Sequence, residues 1–139
     1  MFEEAAKETS IEKNLLAAIS FQESQWDPKA ISNMGVRGMM MVTLETADLV
    51  GVEKRLDPEQ NIIGGAKYFA MLKEKNMIGP TEADKLAATL ASYNLGPTNM
   101  INIASQINED ISLVTWIEIQ NKLKTMKGSE LNLTDKGSY

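Results

Sequence analysis

Hydrophobic residues recur along this chain with the spacing of α-helices. Ile11, Leu15 and Ile19 stand four residues apart, and residues with that spacing stack on one face of a helix. Later segments repeat the helical period, and none alternates polar and apolar residues as a strand would. The pattern therefore predicts a compact all-α domain with short connections. In the later helices it predicts buried positions that include Leu86, Ile101, Leu113 and Ile117.

Prolines, glycines and capping residues divide the chain into successive predicted helices. Thr9 with Glu12 resembles a capping box ahead of the first helix. The predicted helices run from about Ser10 to Gln25, from Thr43 to Gly51, from Asp57 towards Gly79, from Thr81 to Gly96, from about Thr98 and from about Ser112. Beyond Gly128 the chain is polar. We therefore predict one domain over residues 1–127 and a polar, flexible tail at 128–139.

Glu23 is the position that follows Ile11, Leu15 and Ile19 in the same row, so this hydrophobic face ends in a carboxylic acid. Desolvation makes a partly buried carboxyl costly to ionise and raises its pKa. An acid that keeps its proton near neutral pH can protonate a leaving group. The spacing alone leaves a second interpretation open, in which the helix frays before Glu23 and the side chain meets solvent.

Composition narrows the chemistry further. The 139 residues carry a net charge of −5 and no strongly basic run, which argues against a nucleic-acid partner. The sequence contains neither cysteine nor histidine, which excludes thiolate and imidazole metal sites and Ser-His or Cys-His catalysis. We therefore expect no metal and no cofactor, and acid–base chemistry from carboxylates, lysines or tyrosines. No segment approaches the roughly 18 apolar residues of a membrane span.

Four short segments are informative when they are read together and in order. They are Glu23-Ser24, the loop from Ser32 to Thr43, the helical segment from Asn61 to Tyr68, and the helix end from Ala91 to Gly96. They resemble the lytic transglycosylase domain of the goose-type-lysozyme-like superfamily. Its members show Glu-Ser, a loop serine, a Gly-x-x-Gly-Leu-Met-Gln-like stretch, Asn-Ile-x-x-Gly-x-x-Tyr and Ala-x-Tyr-Asn-x-Gly. The match covers about residues 10–125, and the Gly-Met-Met-Met of Gly38 to Met41 is similar to the membrane-bound lytic murein transglycosylase F subfamily.

The resemblance implies a lysozyme-like helical fold with a substrate groove and a peptidoglycan lytic transglycosylase activity. Glu23 would be the single general acid/base. It would protonate the glycosidic oxygen between N-acetylmuramic acid and N-acetylglucosamine, and then take a proton from the C6 hydroxyl of the muramic acid. That hydroxyl would close on C1 to give a 1,6-anhydro product. Two carboxylates are not needed where the substrate's own groups assist.

The resemblance also implies roles for five substrate-binding residues. Ser32 is expected to hydrogen-bond near the reacting sugar, and Tyr93 to orient Glu23 or to contact the sugar. Asn94 is expected to hold the helix end and the wall of the groove. Met40 corresponds to a methionine that lines the groove. Met41 replaces the glutamine that is common in the family, so one polar contact with the sugar should be missing.

The expected partner is the glycan strand of peptidoglycan, in the periplasm or cell envelope of a bacterium. Members of the subfamily usually carry a signal peptide, a domain resembling solute-binding proteins and a further C-terminal helix, none of which is evident here. We interpret the chain as an excised domain, expected to be monomeric and to reach a membrane only through segments outside it. Three alternatives stay open: a hydrolytic muramidase with a second carboxylate, a non-catalytic glycan-binding domain, and a helical interaction module.

Overall fold

The computed structural model of the protein describes residues 2–31, 38 and 40–126. Within these ranges the regular structure is helical, with isolated bridge residues at Ile31 and Val42 and no strand. The helices are α1 Phe2–Thr9, α2 Lys13–Ser24, α3 Leu44–Val50, α4 Pro58–Lys75, α5 Glu82–Leu95, α6 Pro97–Ile107, the 3-10 helix Ile111–Leu113 and α7 Trp116–Thr125. The predicted all-α fold class is confirmed, and it is consistent with a lysozyme-like domain. The substrate groove stays a prediction.

The chain divides into two compact units, a first unit up to Met71 and a second unit from Leu72, so that α4 begins in one and ends in the other. The predicted domain over residues 1–127 stays a prediction. The polar tail predicted at 128–139 lies outside the described residues. Among the described helices, none is both long enough and apolar enough to cross a membrane.

The start of the first unit differs from the prediction. Residues ahead of Ser10 form a helix of their own, α1, and the chain turns at Ser10 with a φ of 60° before α2 begins. The predicted capping box of Thr9 and Glu12 is wrong. The Thr9 hydroxyl instead donates to the Ala5 carbonyl at 2.8 Å, and its oxygen accepts from the Ile11 N–H at 3.3 Å. Glu12 is the N-cap of α2 and makes no side-chain capping bond.

The helix starts and ends predicted for α3 and α4 are confirmed. The Thr43 hydroxyl accepts from the Thr46 N–H at 2.9 Å, and Gly51 ends α3 in the left-handed region with a φ of 77°. Asp57 caps α4 by accepting from the Gln60 N–H at 3.0 Å. These bonds satisfy N–H groups that have no partner inside the helix, which is why such residues mark helix starts.

Gly64, within α4, allows close packing in the first unit. A Cβ atom at this position would lie 3.1 Å from Cγ2 of Val52, whose side chain is buried. Glycine therefore lets the backbone of α4 approach the segment that follows α3. The packing outweighs the roughly 1 kcal/mol by which glycine disfavours a helix relative to alanine.

The second unit is built around a hydrophobic core contributed by α5, α6 and α7. Its fully buried members are Ile78, Ala88, Met100, Ile103, Ala104, Val114 and Ile119. Thr81 caps α5, as predicted, by accepting from the Asp84 N–H at 3.1 Å. The Asp84 carboxylate also accepts from the backbone N–H of Trp116 at 2.9 Å, which ties the start of α7 to the start of α5.

The predicted helical period of this unit is right, and the predicted faces are buried only in part, since Ala104 is buried and four other predicted positions are not. Leu86, Ile101, Leu113 and Ile117 are between 39% and 67% exposed. The core takes neighbouring faces instead, such as that of Ile119 on α7. These helices carry hydrophobic residues on more than one side, so the face that is buried depends on the elements packed against each helix.

Candidate functional site

The structure places the predicted site residues on three local features. Glu23 lies in the last turn of α2, and Met40 and Met41 follow Gly38 in a turn, all within the first unit. Tyr93 and Asn94 lie in the last turn of α5, in the second unit. Ser32 lies outside the described residues. A single site that joins these residues stays a prediction.

Glu23 is partly buried at the end of an intact helix. The row that leads to it contains the buried Ile11 and Ile19 and the partly buried Leu15. Because α2 continues to Ser24, the interpretation in which the helix frays before Glu23 is wrong. The carboxyl group is therefore held by helical backbone at the margin of a hydrophobic face.

The chain leaves α2 through two consecutive left-handed residues, Gln25 with a φ of 53° and Trp26 with a φ of 62°. The left-handed conformation is energetically unfavourable for residues other than glycine, so neighbouring interactions must maintain it. The Gln25 N–H donates to the Phe21 carbonyl at 2.8 Å, and the Trp26 ring N–H donates to the Ala17 carbonyl at 2.9 Å. The Phe21 and Trp26 rings also meet edge to face, with centroids 5.0 Å apart. We call this arrangement the aromatic staple of α2.

The aromatic staple lies on a different side of the helix from Glu23. Phe21 precedes Glu23 by two residues, which corresponds to a rotation of about 200° around the axis. Both rings remain about half exposed. The staple therefore acts on Glu23 through the backbone of the last turn, and it is a feature that the sequence analysis did not identify.

The turn that contains Gly38, Met40 and Met41 places its last two residues in different environments. Gly38 has a φ of 87°, and its N–H donates to the Ala30 carbonyl at 2.9 Å. The Met41 N–H donates to the Gly38 carbonyl at 3.1 Å, and Met41 has a φ of 51°. Met40 is fully buried, whereas Met41 is partly exposed. The groove-lining role predicted for Met40 and the missing polar contact predicted at Met41 stay predictions.

Asn61, the first residue of the matched helical segment, holds this turn in place. Its side chain is fully buried, and its Oδ1 accepts from the Met40 N–H at 2.7 Å. Its Nδ2 donates to the Arg55 carbonyl at 2.9 Å, and Nη1 of Arg55 donates to the Val42 carbonyl at 2.9 Å. The sequence analysis included Asn61 in a motif but assigned it no function.

Two tyrosines of the matched segments are buried. Tyr68 lies on α4 and Tyr93 on α5, and each is 3% exposed. Burial raises the pKa of the Tyr68 hydroxyl well above its ordinary value. Tyr68 therefore stays protonated at neutral pH, which suits it to donate a hydrogen bond and not to act as a base.

The end of α5 is closed by groups beyond the predicted pair. Asn94 is exposed, whereas the buried Asn99 donates its side-chain N–H to the Leu95 carbonyl at 2.6 Å. Gly96, with a φ of 94°, donates its N–H to the Ser92 carbonyl at 2.9 Å and leads directly into α6. Asn99 thus contributes to closing this helix end, and the role expected of Asn94 stays a prediction.

Within the described ranges, no three acidic side chains are grouped so that they could hold a metal ion.

Residues 1–112 match the family model of the transglycosylase SLT domain. The relatives include membrane-bound lytic murein transglycosylase F 1 of Alkalilimnicola ehrlichii, which is 53% identical over 95 residues, covering 68% of this chain and 19% of the relative. Membrane-bound lytic murein transglycosylase F of Maricaulis maris is 47% identical over 113 residues, covering 79% of this chain and 25% of the relative. The protein of that name from Pseudomonas putida is 37% identical over 139 residues, covering 99% of this chain and 29% of the relative. The chain thus spans between 19% and 29% of the length of these relatives.

Proposed function

Because this chain belongs to the transglycosylase SLT domain family, we propose that it is the catalytic domain of a peptidoglycan lytic transglycosylase. Its substrate is the β-1,4 bond between N-acetylmuramic acid and N-acetylglucosamine, in the cell envelope of a bacterium. The names of the relatives, which include the words murein and membrane-bound, support this substrate and this location. The chain acts as a monomer in this proposal, which sedimentation velocity would test.

The observation that carries the proposal is the position of Glu23. It is partly buried at the end of α2, in line with Leu15 and Ile19 of the same helix. Removal from water disfavours the charged form of a carboxyl group. A carboxyl so placed is suited to hold a proton until a glycosidic oxygen comes within hydrogen-bond distance.

Glu23 serves first as acid and then as base. It donates its proton to the glycosidic oxygen while the bond between that oxygen and C1 of the muramic acid breaks. The resulting carboxylate takes the proton of the C6 hydroxyl, and the C6 oxygen forms a bond with C1. Glu23 is then protonated again, and no water is consumed. Because the substrate supplies the nucleophile, one carboxyl group is sufficient.

The remaining predicted residues serve as substrate contacts. Met41 presents a partly exposed side chain. Tyr93 and Asn94 offer a hydroxyl and an amide at the end of α5. Replacement of a single positioning contact should reduce turnover by about one to three decades, in line with the measured effects of orienting and electrostatic groups.

Mass spectrometry of the products from purified peptidoglycan tests the proposal. The wild-type chain should release muropeptides that are one water lighter than hydrolytic products. Glu23→Gln should release none while keeping its circular dichroism spectrum, because the amide can neither supply nor take the proton. Glu12→Gln is the matched control, since it makes the same exchange at an exposed residue ahead of the same helix. It should keep wild-type activity.

Other product patterns would contradict the proposal in distinguishable ways. Products with a reducing end would identify a muramidase and would require a second carboxylate. Binding of wild-type chain to peptidoglycan without any released product would identify a glycan-binding domain. Wild-type turnover in Glu23→Gln would show that Glu23 is not the acid/base.

A further inference from the structure

Side chains from the region around the start of α4 hold two backbone groups, one within a short segment and one directly after it. The segment comprises Gly38, Met40 and Met41, and we call it the methionine turn. The Met40 N–H donates to Oδ1 of Asn61 at 2.7 Å, and the Val42 carbonyl, which follows the turn, accepts from Nη1 of Arg55 at 2.9 Å. Both hydrogen bonds are made to backbone peptide groups. They therefore constrain the path of the backbone whatever side chains the turn carries.

Asn61 is chemically matched to its surroundings. Its oxygen faces a donor, the Met40 N–H, and its nitrogen faces an acceptor, the Arg55 carbonyl, 2.9 Å away. A primary amide is the short side chain that offers a donor and an acceptor at the same time. An aspartate would place an acceptor against the Arg55 carbonyl, and an alanine would leave both backbone groups without this partner. Because the side chain is fully buried, water would not readily replace it.

Gly38 packs closely against the side-chain amide of Asn61. A Cβ atom at position 38 would lie 2.6 Å from Cγ of Asn61 and 3.0 Å from its Oδ1, which is closer than packed atoms approach. Gly38 also has a φ of 87°, in the region that favours glycine. With Gly38 close to the amide, the turn has Met40 buried and Met41 partly exposed.

We propose that Asn61 is a positioning residue for glycan binding, and that it acts by fixing the methionine turn so that Met41 faces the substrate. The inference rests on the proposed function, because it assigns the turn to the surface that binds the glycan. Asn61 acts through the turn and not on the reacting bond. Its loss should therefore weaken substrate binding more than it slows the chemical step.

Steady-state kinetics on soluble glycan strands, together with amide hydrogen exchange, test the proposal. Asn61→Ala should raise KM about tenfold and lower kcat less than about threefold, the pattern for a lost binding interaction. The Met40 amide should exchange with solvent much faster than in wild type. Ile119→Ala is the control, since it removes fully buried core volume from the second unit. It should lower the Tm without changing KM.

A double-mutant cycle with Gly38→Ala distinguishes a specific match between Gly38 and Asn61 from general destabilisation. In the wild-type background the added methyl group collides with Asn61, and KM should rise. In the Asn61→Ala background that collision is gone and only the strain of the positive φ remains, so Gly38→Ala should raise KM less. Independent effects of the two changes would contradict the proposed match between the residues.

Failure of the inference and failure of the proposed function give different results. If wild type forms anhydro products and Asn61→Ala keeps the wild-type KM, the inference is wrong and the function stands. If wild type forms no such products, the proposed function is wrong, and so is the role of Asn61 in glycan binding. Hydrogen exchange at the Met40 amide would still show whether Asn61 holds the methionine turn. If Asn61→Ala does not fold, Asn61→Asp replaces it. That variant keeps the volume and the acceptor for Met40, and KM should rise in the same direction.

Discussion

Replacement of Trp26 tests how the end of α2 holds the proposed acid. The aromatic staple joins Trp26 to Ala17 through a ring hydrogen bond of 2.9 Å and to Phe21 through an edge-to-face contact. Without these interactions, the left-handed conformation at Gln25 and Trp26 loses its support. The last helical turn, which contains Glu23, should then fray. Trp26→Phe removes the ring N–H and part of the ring system but keeps an aromatic side chain, whereas Trp26→Ala removes the whole staple.

The expected loss of stability follows from the half-exposed position of the ring. A tryptophan buries up to about 200 Å², and Trp26 is 50% exposed. Removal of the remaining apolar contact costs about 2.5 kcal/mol at about 25 cal/mol per Å². The hydrogen bond and the ring pair each contribute about 1 kcal/mol. We therefore expect the free energy of unfolding to fall by about 3–5 kcal/mol for Trp26→Ala and by about 1 kcal/mol for Trp26→Phe.

The assay combines urea unfolding with turnover of peptidoglycan under conditions where every variant is folded. Because displacement of a catalytic group by about 1 Å can cost about a hundredfold in rate, kcat should fall by one to two decades in Trp26→Ala. Trp116→Phe is the matched control, because Trp116 is the chain's other tryptophan and lies in the second unit. The Trp116→Phe variant should retain the wild-type kcat. It also leaves Trp26 as the one tryptophan whose fluorescence follows unfolding.

Retention of wild-type kcat by folded Trp26→Ala would refute the view that the staple positions Glu23. A loss of stability below about 1 kcal/mol would refute the structural estimate itself. Equal loss of kcat in Trp116→Phe would mean that the assay reports general destabilisation.

Three further predictions concern hydrogen bonds and charge. Hydrogen bonds from the Thr81 hydroxyl and the Trp116 N–H lower the pKa of Asp84, so its stabilising effect is complete above the ordinary aspartate pKa of about 4 and is lost as the pH falls below it. The Tm of Asp84→Asn should therefore lie below that of wild type at pH 7, and the difference should shrink below about pH 4 in scanning calorimetry; a constant difference would contradict this. Thr43→Ala should lose about 1–2 kcal/mol in urea unfolding, because it removes a buried N-cap. Thr115→Ala should lose about 1 kcal/mol, because it breaks a capping box in exposed surroundings; changes within error would contradict either estimate.

Local sequence signals predicted the features that depend on local bonds. Helix starts at Thr43, Asp57 and Thr81 were predicted correctly, because a cap binds N–H groups within three residues of itself. The all-α class followed from the hydrophobic period, and the resemblance to lytic transglycosylases is confirmed by the family match over residues 1–112. The prediction that Glu23 continues a hydrophobic row held for Leu15 and Ile19, which belong to α2 with Glu23, whereas Ile11 lies ahead of that helix.

Local signals were misleading where neighbouring bonds compete. Thr9 has the residue type and the spacing of a cap, but its hydroxyl binds back to Ala5 and the chain turns at Ser10. The sequence offered both arrangements, and the packing of α1 with Ala5 in its buried face selected one of them.

The sequence by itself determined the helical class, the starts of several helices and the family to which the chain belongs. Only the tertiary structure decided which faces are buried, so that Ile119 is core and Ile117 is not, and that Met40 is enclosed while Met41 is partly exposed. It also revealed the role of Asn61, which bonds to Met40, 21 positions earlier in the chain. Helical period and capping arise from bonds within a few residues, whereas burial and long-range hydrogen bonds require partners that the fold brings from distant parts of the sequence.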